Sequence, residues 1–199
     1  MSAVELVLVD AGGTNIGSVR YALERLGVFA EVSDDAQRIA RATHVILPGV
    51  GAAGPGMQRL REAGLIDVLR GLSQPVLGVC LGMQLLFEHS EEGDTTCLGV
   101  VPGQVRRIEG SARRRVPHMG WNRLDVLTDD PLLGGLGADA HAYFVHSYAV
   151  ASTAHTLAST DYGSALAAVV RHRNFYGMQF HPERSAAVGA RLLRNFLDS

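Results

Sequence analysis

The pentapeptide Gly78-Val79-Cys80-Leu81-Gly82 closes an apolar run that starts at Pro75, and it holds one of two cysteines in the chain. Its glycine spacing is that of a nucleophile elbow, in which a strand turns sharply into a helix and the central residue takes a strained backbone conformation. Met83-Gln84-Leu85-Leu86-Phe87-Glu88 continues as a helical stretch, so Cys80 falls at a helix N-terminus, where free N–H groups favour a thiolate. The alternative is a small apolar side chain packed in the core, as most free cysteines are. A thiol nucleophile needs a base, and among eight histidines His181 has the setting for one. It ends the apolar run 176–180, precedes Pro182, which biases it away from helical geometry, and stands two residues before Glu183. In an extended segment, residues i and i+2 point the same way, so the carboxylate can fix the tautomer that accepts a thiol proton. Alone, His-Pro-Glu also reads as a surface turn; with the glycine-flanked cysteine, Cys80, His181 and Glu183 form a triad of nucleophile, base and orienting acid.

Such chemistry builds an oxyanion that needs backbone donors. The elbow supplies the N–H of Leu81. A second donor fits Pro48-Gly49-Val50-Gly51, at Gly49 or Val50, because this stretch follows an apolar strand and can bring N–H groups beside the cysteine. The same four residues also read as a simple turn.

The elements that must position these groups alternate along the chain. Strands are expected at 6–9, 29–32, 44–47 and 76–79, separated by helical patterns ending before Gly27, at 35–42 and at 57–72. Continuous apolar strands divided by helices imply a parallel sheet covered on both faces. After Gly99 the pattern turns hairpin-like, near 100–108, 116–126 and 141–150, and the chain finishes with strands at 165–170 and 176–180 and a helix at 186–197. The expected architecture is α/β: one domain over residues 1–199 with a central mixed, mostly parallel sheet flanked by helices.

A chain of 199 residues, 47% hydrophobic and 19% charged, buries a full core, which excludes a disordered chain. All 18 basic side chains are arginine, and the net charge of −2 gives no global pull toward nucleic acid or anionic membrane. The first residues lack a basic region and Glu5 interrupts their apolar stretch, so no secretory leader is expected. With Cys80 and Cys97 both free thiols, the expected compartment is the cytoplasm. No histidine pair has zinc-ligand spacing, so neither a metal nor a cofactor is expected.

The set "PGVG" (48–51), "GVCLGMQLLFEHSEEG" (78–93), "PHMGWN" (117–122), "YFVHSY" (143–148) and "GMQFHPERS" (177–185) resembles class I glutamine amidotransferases. The cysteine and His-Pro-Glu motifs are common to that class, whereas "HMGWN" and "YFVHSY" are narrower and point to the glutaminase subunits of imidazole glycerol phosphate synthases in histidine biosynthesis. The resemblance implies that Cys80 attacks the side-chain amide of glutamine, that His181 passes the proton to ammonia, and that Glu183 orients His181. It implies that Gln84 and Glu92 hold the α-amino and α-carboxylate end of glutamine, with His146 and Ser147 lining the same pocket. It also implies a partner, a (βα)8-barrel synthase/cyclase subunit that consumes the ammonia, facing Asn15, Met119, Trp121, Asn122, Tyr143 and Arg184. Read without the resemblance, Gln84 and Glu92 are helix surface and His146 is strand core.

Departures fall on the partner side. Ala11 and Thr14 stand in "DAGGTN" where many relatives have Asp-Tyr-Gly-x-Gly-Asn, and Arg184 replaces the usual lysine. The same glycines lack the middle glycine of a dinucleotide-binding loop. Arg106, Arg107, Arg113, Arg114 and Arg115 read as the solvated tip of a hairpin turning at 109–111, since no aromatic residue is interleaved for base stacking. The competing readings are an amidotransferase subunit of another pathway, a cysteine peptidase or DJ-1-like thiol enzyme, and a non-catalytic binding module with Cys80 merely packed.

Overall fold

A computed structural model describes residues 4–10, 16–112 and 114–199. Asn15, Ala11, Thr14 and Arg113 lie outside the described residues. The first half runs β1 (Leu6–Val9), α1 (Ile16–Arg25), β2 (Ala30–Ser33), α2 (Ala36–Arg41), β3 (His44–Gly49), α3 (Ala53–Glu62), α4 (Ile66–Arg70), β4 (Val76–Cys80) and α5 (Leu81–Leu86). Short strands β5 (His89–Ser90), β6 (Thr95–Thr96) and β7 (Gln104–Arg107) follow, then β8 (His118–Arg123), β9 (Asp125–Val126), β10 (His141–His146) and β11 (Tyr148–Ala149). β12 (Thr156–Asp161), β13 (Ala165–His172), β14 (Phe175–Met178) and α6 (Ala186–Leu197) complete the chain.

Eight strands form the central sheet in the order β2-β1-β3-β4-β14-β13-β12-β9. Those from β2 to β14 pair in parallel and the other three are antiparallel. The mixed, mostly parallel sheet expected from the sequence is therefore present. Alternate side chains of its strands feed two cores: Leu6, Leu8, Ile46, Leu77 and Val79 pack with Leu192, Leu193 and Phe196 of α6. Val7, Val9, Val45, Leu47 and Val76 pack on the other face with Met57, Leu60, Leu81 and Leu85. Both faces of each central strand are buried, which is why these strands read as unbroken apolar runs. Because strand order reverses beside β1, the carboxyl ends of β3, β4 and β14 open a crevice of the kind where α/β sheets place ligands. No helix among the described residues is long and apolar enough to cross a membrane.

Four local expectations are corrected. The helical region at 57–72 is two helices, divided where Gly64 takes φ +69°. β12 was not anticipated: Thr-Leu-Ala-Ser-Thr-Asp shows no apolar alternation, yet five of its six residues are buried. The arginine-rich turn closes at a bridge between Ser111 and Arg114, later than 109–111. Arg114 is half-buried rather than solvated and donates to the Tyr162 carbonyl at 2.8 Å.

Candidate active site

β4 ends in Cys80 and α5 begins at the next residue, so the chain reverses direction across one peptide. Cys80 takes φ 54° and ψ −111°, a left-handed conformation rare for a side-chain-bearing residue and the signature of a strained nucleophile turn. The turn is possible because α5 starts against β3: a Cβ at Gly82 would stand 1.8 Å from the Leu47 carbonyl oxygen. Cys80 thus sits at a helix N-terminus, in register with Gly49 of β3.

His181 follows β14, the strand beside β4, and contacts Cys80 through a side-chain hydrogen bond. Its Nδ1 lies 2.9 Å from Oε1 of Glu183, whose side chain is 2% exposed. The expected His181–Glu183 contact is therefore present, but extended i, i+2 geometry is not its cause: residues Pro182–Arg184 form a 3-10 turn with His181 as its N-cap. That turn is fastened from two sides. The His181 N–H donates to the Tyr143 carbonyl at 2.9 Å, and the Ser185 hydroxyl donates to the His181 carbonyl at 2.7 Å while accepting from the Tyr143 N–H at 2.9 Å. α6 packs so closely behind that a Cβ at Gly189 would meet the Pro182 oxygen at 1.9 Å.

Burial alone would lower the basicity of His181, but the hydrogen bonds to Cys80 and Glu183 outweigh it and raise its pKa to about 10. Both ring nitrogens are therefore expected to carry protons at pH 8, seen as imidazolium ¹⁵N shifts. Cys80→Ala removes one of the two raising contacts and should move the titration midpoint downward.

Cys80 and His181 line a cavity of about 340 Å³ with Val50, Leu81, Gln84, Glu92, His146 and Ser147, and Glu183 stands behind His181. The volume sits at the small end of the roughly 300–1,000 Å³ typical of small-molecule sites. The cavity gathers every substrate-side residue named from the sequence. Of the oxyanion residues it brings Val50 and Leu81 to the wall and leaves Gly49 one step behind, lining the adjacent cavity. Gln84 is buried, and its amide donates to the Tyr148 carbonyl at 2.9 Å and to Gln179 Oε1 at 3.0 Å. With both protons engaged, Gln84 has only its oxygen left to offer a ligand. Glu92 is half-buried, and its carboxylate accepts from the Ala53 N–H at 2.8 Å, which caps α3 and fixes the acid at the wall.

Two polar residues escaped the sequence reading. Gln179 is 1% exposed, with its Nε2 4.0 Å from the Cys80 sulfur. His118 is 2% exposed and bonds His146 at 2.9 Å. A buried amide inside the apolar run 176–180 was the available signal for Gln179, since such a group requires partners. Burial pushes His118 down to about 4, with His146 adding to the effect, and burial also takes His146 down to about 4. Their folded values lie below the ordinary 6.5, so the unfolded chain binds more protons between the two. The stability these neutral rings carry above pH 6.5 is then lost as pH falls toward 4. Urea midpoints should decline over that window, with a shallower decline in His118→Phe.

The residues named for a partner surface divide by strand face. β8 and β10 pair Trp121 with Tyr143 and Met119 with Val145. Met119 and Trp121 are 61% and 55% exposed, the Arg184 guanidinium lies 5.4 Å from the Tyr143 ring centre, and Trp121 meets Tyr143 edge-on at 6.0 Å. Asn122 stands apart from this group: its side chain turns inward and donates to His118 Nε2 at 3.2 Å and to the Asp161 carbonyl at 2.9 Å.

Comparison with known proteins places this geometry in a family. The sequence profile of "Glutamine amidotransferase class-I" matches residues 7–199. A relative from Xanthomonas campestris pv. campestris (strain 8004), named imidazole glycerol phosphate synthase subunit HisH, is 59% identical over 98% of this chain and 97% of its own. A HisH from Xylella fastidiosa (strain Temecula1 / ATCC 700964) is 56% identical over the same shares. Among solved structures, one titled glutamine amidotransferase superposes with TM-score 0.75 at 26% identity, covering 98% of both chains. PurLQS from Thermotoga maritima shares the fold, with TM-score 0.72 at 17% identity over 98% of this chain and 99% of that one. Through its full-length resemblance and its profile match, the chain belongs to the class I glutamine amidotransferases, within the HisH subunits of imidazole glycerol phosphate synthase.

Proposed function

We propose that this chain is the glutaminase of an imidazole glycerol phosphate synthase, one glutaminase domain over residues 1–199, and that Cys80, His181 and Glu183 carry the reaction. The Cys80 sulfur attacks the side-chain carbonyl carbon of glutamine, and the tetrahedral oxyanion is met by the N–H of Leu81 and by a backbone N–H of Gly49 or Val50. The C–N bond breaks as His181 delivers its proton to the departing ammonia. A γ-glutamyl thioester remains on Cys80. His181, now neutral, takes a proton from water, whose oxygen attacks the thioester; the C–S bond breaks and glutamate leaves. Glutamine and water thus become glutamate and ammonia, with thiolate and imidazolium restored. Glu183 holds the ring in the orientation both steps need.

Among the residues that line the cavity, the acceptors that suit an α-ammonium are the Glu92 carboxylate and the side-chain oxygen of Gln84. His146 and Ser147 line the side. The observation that carries this reading is the contact of a left-handed Cys80 with a Glu183-bound His181 at the wall of one small cavity. The ammonia would pass to a (βα)8-barrel synthase/cyclase subunit, docked on Met119, Trp121, Tyr143 and Arg184. Aromatic and arginine side chains in one exposed cluster are the composition of interface anchors. Asn15 completes that surface in the proposal, and the site is proposed to work in the cytoplasm without metal or cofactor.

The test is glutamate release by the chain alone, then with a purified barrel subunit and its nucleotide ligand, with Cys80→Ser as the blank. Release confined to the full mixture supports both the chemistry and the partner. Release that ignores the barrel leaves a glutaminase of another pathway, and no release in any mixture returns the chain to the binding-module reading.

A further inference from the structure

The cavity wall is held by a run of hydrogen bonds that starts on the inner face of the β8–β10 ribbon. The Tyr148 carbonyl accepts from the Gln84 amide and lies 2.8 Å from His146 Nδ1. A carbonyl oxygen only accepts, so His146 Nδ1 carries the proton, and in a neutral ring its Nε2 is bare. His118 Nδ1 must then donate to that Nε2 across their 2.9 Å contact. Its own Nε2 is bare in turn and receives the Asn122 amide at 3.2 Å. One terminal carbonyl therefore fixes every proton along the run. A tautomer change or a charge on either ring would set two N–H groups against each other.

The His118 ring cannot turn away from this arrangement. It is stacked between Phe144, 4.8 Å away and tilted 18°, and Tyr162, 4.0 Å away and tilted 22°. The ring does not line the cavity, and no chemical step above uses it.

We infer that His118 is a positioning residue for the substrate cavity: by donating to His146 it holds the Tyr148 carbonyl, and through that carbonyl it aims Gln84. The inference rests on the glutamine reading of the cavity. Its two substitutions separate hydrogen bonding from packing. His118→Phe keeps an aromatic ring in the stack and removes the donor. His118→Asn gives up the stack but puts an amide nitrogen close to where Nδ1 stood, still able to donate to His146.

Calorimetry with glutamine on the Cys80→Ala chain, which binds without turnover, reads the effect with the barrel subunit present. His118→Phe is expected to weaken binding about fivefold, the loss typical of one hydrogen bond, and His118→Asn to stay within about twofold of the parent. An unchanged constant in His118→Phe, or equal losses in both variants, would overturn the inference while leaving the glutaminase reading intact. A Cys80→Ala parent that takes no glutamine would overturn the glutaminase reading itself, and this inference with it. Should His118→Phe fail to fold, ¹⁵N shifts of the unaltered chain at pH 7 decide: both rings neutral with the proton on Nδ1 supports the inference, and Nε2–H on either ring overturns it.

Discussion

Cys80→Ser is expected to release glutamate at least about 10⁴-fold more slowly than the parent, in the complete mixture with barrel and nucleotide, since the nucleophile and its base act as a unit. The substitution is nearly isosteric, so the elbow and the cavity persist. What changes is the leaving proton: an alcohol beside an imidazolium is not a nucleophile, whereas a thiol can surrender its proton to the pair formed by His181 and Glu183. A glutamine-like electrophile, with a chloromethyl ketone in place of the side-chain amide, should alkylate the parent at Cys80 with loss of chloride and leave Cys97 untouched. Cys97 is buried 1% exposed, and burial pushes its thiol up to about 11. Mass spectrometry of the labelled peptide and a coupled glutamate assay check both statements. Residual turnover within tenfold of the parent would remove Cys80 from the mechanism.

Gly82→Ala should damage the fold before the chemistry. The added Cβ would lie 1.8 Å from the Leu47 oxygen, a backbone atom fixed within β3, so α5 must move away from the sheet. Overpacking against a rigid neighbour costs about 3 kcal/mol or more, a large part of a typical margin of about 5–15 kcal/mol. In a chain of this size that corresponds to a fall in Tm of roughly 6–12 °C. Gly17→Ala is the control: among the described residues nothing lies within 4 Å of that Cβ and the residue is helical, so stability should rise by about 0.5–1 kcal/mol. Differential scanning calorimetry separates the two. A Gly82→Ala protein that melts with the parent would mean that α5 has room to shift.

What the sequence made legible follows from how local each signal is. α6 was read to the residue because its apolar face repeats with helical period from Val188 to Leu197 and Ser185 stands just ahead of it. The elbow was equally plain from its glycine spacing, although only Gly78 answers to contacts within one turn, at Gly82 and Met83, while Gly82 answers to Leu47 on β3. β12 was hidden because Thr156, Ser159 and Thr160 are buried by the strands on either side, a property of position in the sheet and not of the residues. The His181–Glu183 contact was anticipated from spacing, but its geometry comes from Ser185 and Tyr143, the second lying 38 positions from His181, which no local pattern encodes. Distance along the chain also concealed the polar run: His118 bonds a residue 28 positions away and Gln84 one 95 away. Asn122 was assigned to the outer surface by its motif. Strand alternation puts it beside His118 instead, one step out of phase with Met119 and Trp121.

On β8 and β10, the odd-numbered Met119, Trp121 and Tyr143 meet the outside, while the even-numbered His118, Asn122 and His146 are joined inside. Under the proposed docking, substitutions at the odd positions would reshape the barrel-facing surface without altering one inner hydrogen bond. The even positions are bound to one another, so a replacement there must still offer its neighbour a hydrogen-bond partner. A single ribbon therefore keeps an outer face open to substitution apart from the inner run that ends at the cavity wall.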